Sequence, residues 1–197
     1  MLKKLLAVIA LLIVCMAVFV ATRPATFQVE RSITMAAPAG VVFAEINDFH
    51  QWSAWSPWEQ LDPGMKRTFE GSDAGVGATY SWTGNDKVGE GRMRITESHP
   101  NESVGIQLDF IKPFASTNQF TFTLSPDGSS TRVTWHMLGN NNFMSKAMSV
   151  MASMDKMIGP DFERGLGQLK RVSEAAAASP GAAATPATDK PASPAGQ

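Results

Sequence analysis

Three histidines, one cysteine and a few carboxylates are the residues of this chain most able to do chemistry, and their spacing narrows what that chemistry is. His50, His99 and His136 have no cysteine or second histidine at the short spacing of a metal site, so no metal ligand set is expected. Cys15 is the only cysteine and lies inside an apolar run, which leaves the rest of the chain without disulfide or thiolate chemistry. Gly75-Val76-Gly77 reads as a turn between strands, and neither a phosphate loop nor a nucleophile motif is present. Asp109 and Lys112 flank Phe110 near a strand end. A carboxylate at a cavity mouth can serve acid–base chemistry, and a solvated strand-edge pair accounts for the same residues. No catalytic residue and no cofactor are therefore expected. Trp52, Trp55 and Trp58 recur every three residues. They either roof a cavity entrance with one indole edge wet, or pack short helices on a sheet, with packing expected for at least two.

The elements that position these residues follow from periodicity. Phe27–Met35 alternates as a first strand, Val41–Ile46 reads as a short helix with Pro38 near its start, and Phe49–Trp58 as a second short helix ending at Ser56-Pro57. Six further strands are expected at 66–70, 78–83, 90–98, 103–111, 116–124 and 131–138, each closed by Gly, Pro, Asn or Asp. Tyr80, Trp82, Met93, Ile95, Ile106, Leu108, Phe110, Phe120, Phe122, Leu124, Val133, Trp135 and Met137 share one face. Arg92, Arg94, Gln107, Asp109, Gln119, Arg132 and His136 share the other. The sheet is thus apolar toward a partner layer and polar toward water. Arg31 interrupts the apolar positions of the first strand, which calls for a bulge or an ion pair.

The partner layer is the helix expected from Phe143 to Val172. Met144, Met148, Met151, Ile158, Phe162, Leu166, Leu169 and Val172 make one apolar stripe at helical spacing, widened by Met154 and Met157. The methionines either fill core gaps or form an adaptable pocket wall. Gly159-Pro160 predicts a kink or break. Beyond it, residues 176–197 form an Ala- and Pro-rich tail without large apolar side chains, expected to be disordered from about Ser179.

At the other end, Lys3 and Lys4 precede an uncharged run from Leu5 to Ala21, followed by Arg23. Signal-peptide cores span about 7–15 residues and membrane helices about 17–25, so the run is at the short end of spanning. Phe19 stands three residues before a cut after Ala21, and Val14 precedes Cys15 where a lipoprotein signal has a small residue. An uncleaved signal anchor over residues 1–25 is expected, with the folded domain on the periplasmic or outer side of the cytoplasmic membrane. Cleavage and release as a secreted or periplasmic protein is the alternative. Seventeen basic residues against eighteen acidic ones leave a formal charge of −1, so no nucleic-acid partner is expected.

The opening stretch RSITMAAPAGVVFAEINDFHQWSAWSPWE, with GEGRMRITES and TRVTWHM further on, resembles START-like proteins of the SRPBCC or polyketide cyclase/dehydrase type. The resemblance covers about Phe27 to Ser173, within a domain read as 26–175. It implies an α+β helix-grip fold: a curved seven-stranded antiparallel sheet around a long C-terminal helix, two short helices after strand one, and a cavity between sheet and helix. It brings no family-wide catalytic residue. The cavity is expected to draw on Trp55, Tyr80, Trp82, Met93, Phe110, Phe120, Phe122, Trp135, Met151, Met154 and Ile158, since one helix about 10 Å wide does not easily seal so aromatic a sheet. A monomeric, membrane-tethered binder of a hydrophobic small molecule or lipid is the leading expectation, because no convergent polar cluster is visible on the inward face. A cyclase- or hydrolase-type enzyme on an apolar substrate, and a protein-partner adaptor with a closed cavity, are the alternatives.

Overall fold

The computed structural model describes residues 2–59, 61–141, 143–148 and 153–179. Along the chain come helix α1 (Leu2–Ala21), strand β1 (Thr26–Met35), helix α2 (Ala39–Asn47) and a 3-10 turn (Phe49–Ala54). Strands β2 (Lys66–Glu70), β3 (Thr79–Thr83), β4 (Glu90–His99), β5 (Ser103–Lys112), β6 (Ser116–Asp127) and β7 (Ser130–Asn140) follow. Helices α3 (Phe143–Met148) and α4 (Met154–Ala178) end the described chain. β2 to β7 form an antiparallel meander, and β1 returns to pair with β7, giving the order β1-β7-β6-β5-β4-β3-β2. β1 and β2 are therefore the two edges. The left-handed backbone at Asn101 (φ 64°) and Gly128 (φ 60°) makes the β4–β5 and β6–β7 turns possible.

Alternation sorts the sheet as expected. Tyr80, Ile95, Ile106, Leu108, Phe120, Phe122, Val133 and Trp135 are buried on one face, and register stacks Phe122 beside Trp135 and Tyr80 beside Met93. α4 lies along β1 and closes this face with Phe162, Leu166 and Leu169, all buried. At Gly165 an added Cβ would meet Trp135 at 2.9 Å and Pro57 at 3.0 Å, so the bare backbone is what lets the helix approach.

The helical stripe divides elsewhere than the sequence suggests. α4 is capped by Ser153, whose side chain accepts from the Lys156 amide, and it runs from Met154 unbroken through Pro160 to Ala178. Among the described residues the backbone leaves helical geometry at Ser153 (φ −68°, ψ 152°) and not at Gly159-Pro160. Arg31 supplies the reason. It stays in phase with Val29 and Ile33 on the helix-facing side of β1, and its guanidinium pairs with Asp155 and Glu163, both at 2.7 Å. These carboxylates lie on either side of Pro160, so the turn that lacks a backbone donor is clamped from the sheet. Gly159 makes room for the clamp, since a Cβ there would fall 2.2 Å from the Arg31 Nη2 atom. The guanidinium hydrogen bonds hold Asp155 below its ordinary pKa and raise that of Arg31. Arg31 thus requires no bulge.

The second short helix is also shorter than expected. It is a 3-10 turn that ends at Ala54, because Pro57 disfavours helical backbone just before it. The Asp48 side chain caps it by accepting from the His50 amide at 2.8 Å. Trp52 and Trp55 are buried and donate their indole N–H groups to the carbonyls of Ile46 (3.0 Å) and Glu45 (3.1 Å), tying the turn to α2.

Apart from Lys3 and Lys4, α1 is apolar, and it is exposed throughout except for Val20. Its 20 residues span about 30 Å, the thickness of a bilayer's hydrocarbon core. Where it ends, Asn141 donates its amide to the Ala25 carbonyl (2.8 Å) and its side chain to the Pro24 carbonyl (3.2 Å), and Lys146 of α3 reaches the Ala21 carbonyl (3.3 Å).

Candidate ligand cavity

Between the sheet and α4 lies a cavity of about 400 Å³. Its floor is the apolar face of the middle strands: Tyr80 and Trp82 of β3, Met93 of β4, Leu108 and Phe110 of β5, Phe120 of β6. α4 contributes Met154, Ile158, Asp161 and Phe162. The segment after the 3-10 turn contributes Ser56, Trp58, Glu59 and Met65. Exposed Lys87 and Asn140 stand at the rim.

Of the residues expected at a cavity, Tyr80, Trp82, Met93, Phe110, Phe120, Met154 and Ile158 line this one. Trp55, Phe122 and Trp135 do not. They are fully buried beyond its floor in one aromatic cluster, with Trp55 edge-on to both Phe122 (6.1 Å) and Trp135 (6.0 Å). α4 crosses directly above Trp135, where Phe162 stacks on it at 4.1 Å, so no space is left there. Trp58, the last of the three spaced tryptophans, lines the cavity in place of Trp55. Met151 lies outside the described residues.

A polar cluster is also present on the cavity wall, contrary to expectation. The Glu59 side chain is only 6% exposed. Its Oε1 accepts from the Tyr80 hydroxyl at 2.6 Å, and its Oε2 from Arg67 Nε at 2.7 Å. Burial first, and then the bond to Glu59, push the Tyr80 phenol above its ordinary pKa. Asn118 is buried on the inner face of β6, two residues from Phe120, and donates to the Ser116 hydroxyl at 3.4 Å. Alternation extended one step back from Phe120 reaches Asn118. Glu59 sits in an irregular segment where alternation has no purchase.

The other chemically able residues are elsewhere. Asp109 faces outward, accepting from Gln107 (2.8 Å) and Thr117 (2.7 Å), while Lys112 pairs with Glu90 at 2.7 Å. His50 is exposed, bonded to Asp48 and stacked on Phe69 at 4.3 Å. Among the described residues no group of His, Cys, Asp and Glu is arranged to hold a metal ion.

An open antiparallel sheet with two short helical pieces after its first strand and a long C-terminal helix across its apolar face is a helix-grip fold. The chain belongs to the polyketide cyclase / dehydrase and lipid transport family, whose model matches residues 26–174. Solved structures bear out the fold. A protein from Chromobacterium violaceum shares 18% identity, with 77% of this chain and 98% of that one covered at a TM-score of 0.55. A protein from Nitrosospira multiformis shares 22%, with 75% and 96% covered at a TM-score of 0.53. No curated protein matches the chain.

Proposed function

We propose that this chain is a membrane-tethered binding protein that holds a hydrophobic small molecule or lipid between its sheet and α4. The observation that carries the reading is the cavity: about 400 Å³ of unfilled space, walled chiefly by aromatic and aliphatic side chains with a few polar groups among them. That is the usual make-up of a small-molecule site. Unfilled space also speaks against the closed-cavity adaptor. The family's description, with lipid transport beside cyclase and dehydrase, is in keeping with a carrier and with an enzyme.

The test is native mass spectrometry of the full chain for a co-purified ligand, followed by a panel of fatty-acyl and polycyclic apolar compounds read by tryptophan fluorescence. Saturable binding at micromolar affinity or better, about −8 kcal/mol, is expected. Ile158→Lys is expected to weaken it, because Ile158 borders the cavity and a lysine there must be desolvated or displace the ligand. No saturable change and no co-purified ligand sinks the binder reading. Conversion of a bound ligand with time in the same spectra favours the enzyme.

The tether reading rests on α1, long and apolar enough to cross a membrane and exposed along its length. Lys3 and Lys4 in its first turn favour a cytoplasmic N-terminus and a domain outside. A reporter enzyme that works only outside the cytoplasm, fused after Gln197, is expected to be active in membrane fractions. Activity recovered in the soluble fraction, with a mature chain beginning near Thr22, favours the cleaved alternative.

A further inference from the structure

Burying a carboxylate is costly unless it is paired and hydrogen-bonded. Glu59 is satisfied on both counts, and by groups that aim their hydrogens at it. Arg67 gives Nε–H to Oε2 and Nη1–H to the Met65 carbonyl at 3.2 Å. Arg67 does not line the cavity, whereas Glu59 and Tyr80 do. The Tyr80 hydroxyl spends its only hydrogen on Glu59 Oε1. Arg67 also reaches the Tyr80 oxygen, so what Glu59 and Tyr80 retain for a ligand is acceptor capacity, chiefly the second lone pairs of the carboxylate oxygens and then the phenolic lone pair that Arg67 leaves open. Glu59 and Arg67 already cancel one another's charge, so the cluster does not require a cation.

We propose that Glu59 and Tyr80 form the head-group end of the cavity and select a neutral apolar ligand carrying a hydroxyl donor, such as a long-chain alcohol or a phenol, over the corresponding carboxylate. The inference rests on the cavity being a ligand site. A hydroxyl brings the hydrogen that this pair of acceptors lacks. A carboxylate would set acceptors against acceptors at this end of the cavity, and a site built for a donor rejects analogues without one. An anionic head would instead be drawn to Lys87 at the rim.

Three ligands separate these outcomes: decanol, its isomer methyl nonyl ether, which has an oxygen acceptor but no donor, and decanoate. Retention by the full chain in phosphatidylcholine nanodiscs is measured by equilibrium dialysis, with protein-free nanodiscs subtracted. Decanol is expected to bind about tenfold or more tightly than either of the others. Glu59→Gln is expected to draw the decanol-to-decanoate ratio toward one, since the amide presents a donor. Equal binding of decanol and the ether overturns the proposal, and this comparison needs no variant to fold. Decanoate binding as tightly as decanol also overturns it, and loss of that binding in Lys87→Ala would assign the head group to the rim. Retention of none of the three removes the cavity reading itself, and this proposal with it.

Discussion

Replacing Trp135 with alanine is expected to lower the stability of the domain by roughly 3–5 kcal/mol. Trp135 is fully buried and lies where the sheet and α4 meet. Its indole stacks on Phe162 of α4 at 4.1 Å with 15° between the planes, and on Phe122 of β6 at 4.8 Å. Phe120, Trp55 and Trp58 stand edge-on around it at 5.5, 6.0 and 5.8 Å. The indole N–H has no hydrogen-bond partner among the described residues, so the substitution removes packing and leaves no polar group unpaired. Rigid aromatic neighbours on every side collapse poorly into the space, which puts the cost at the high end of large-to-small changes. Trp135→Phe should recover most of it. Denaturant unfolding of the full chain, followed by circular dichroism, measures both. A loss below about 1 kcal/mol for the alanine variant would mean that the helix is not seated on this cluster.

Gly91→Ala should show the reverse fault, overpacking, at roughly 1–3 kcal/mol. A Cβ at Gly91 would sit 2.5 Å from the Trp82 six-membered ring and 2.8 Å from the Asp109 carbonyl oxygen across the ladder. The carbonyl belongs to paired backbone and cannot retreat. The ring is held too, through its N–H on the Val88 carbonyl (3.0 Å), Phe110 edge-on at 6.0 Å and Tyr80 stacked at 5.9 Å. Relief comes by moving Trp82, which lines the cavity. The variant should therefore melt earlier and bind bulky polycyclic ligands less well than slender acyl chains. Melting and ligand preference both unchanged would show that β4 and Trp82 are not as close as described.

Alternation was enough to assign Phe122 and Trp135 to the inner face, because a strand's side-chain period is fixed by its backbone. It was not enough to say which inner residues border open space. That depends on where α4 crosses the sheet, and the crossing is set by contacts such as Phe162 on Trp135 and Gly165 on Pro57. Arg31 is a similar case. Its phase was readable, but its partners are far along the chain, and without them it looked like an error in the pattern. The helix does not break at Gly159-Pro160, a strong local signal for a kink or break, because the clamp from β1 holds the turns on both sides of it. Glu59 was missed because an acid in an irregular segment carries no periodic mark of being buried.

The open sheet has a further consequence for life at high concentration. β1 is covered by α4, but β2 ends the other side with all five residues exposed and one flank of backbone groups unpaired by the sheet. Such a flank is a template on which a strand of another molecule can grow. Here the template is short, and Lys66, Arg67 and Glu70 occupy three of its five positions. Registers that set the Lys66 and Arg67 of a second copy against these same residues bring like charges together, and only the antiparallel register centred on Thr68 sets each Lys66 against a Glu70. Arg67, which holds the buried acid in place, thereby also narrows the registers in which a neighbouring molecule can join edge to edge.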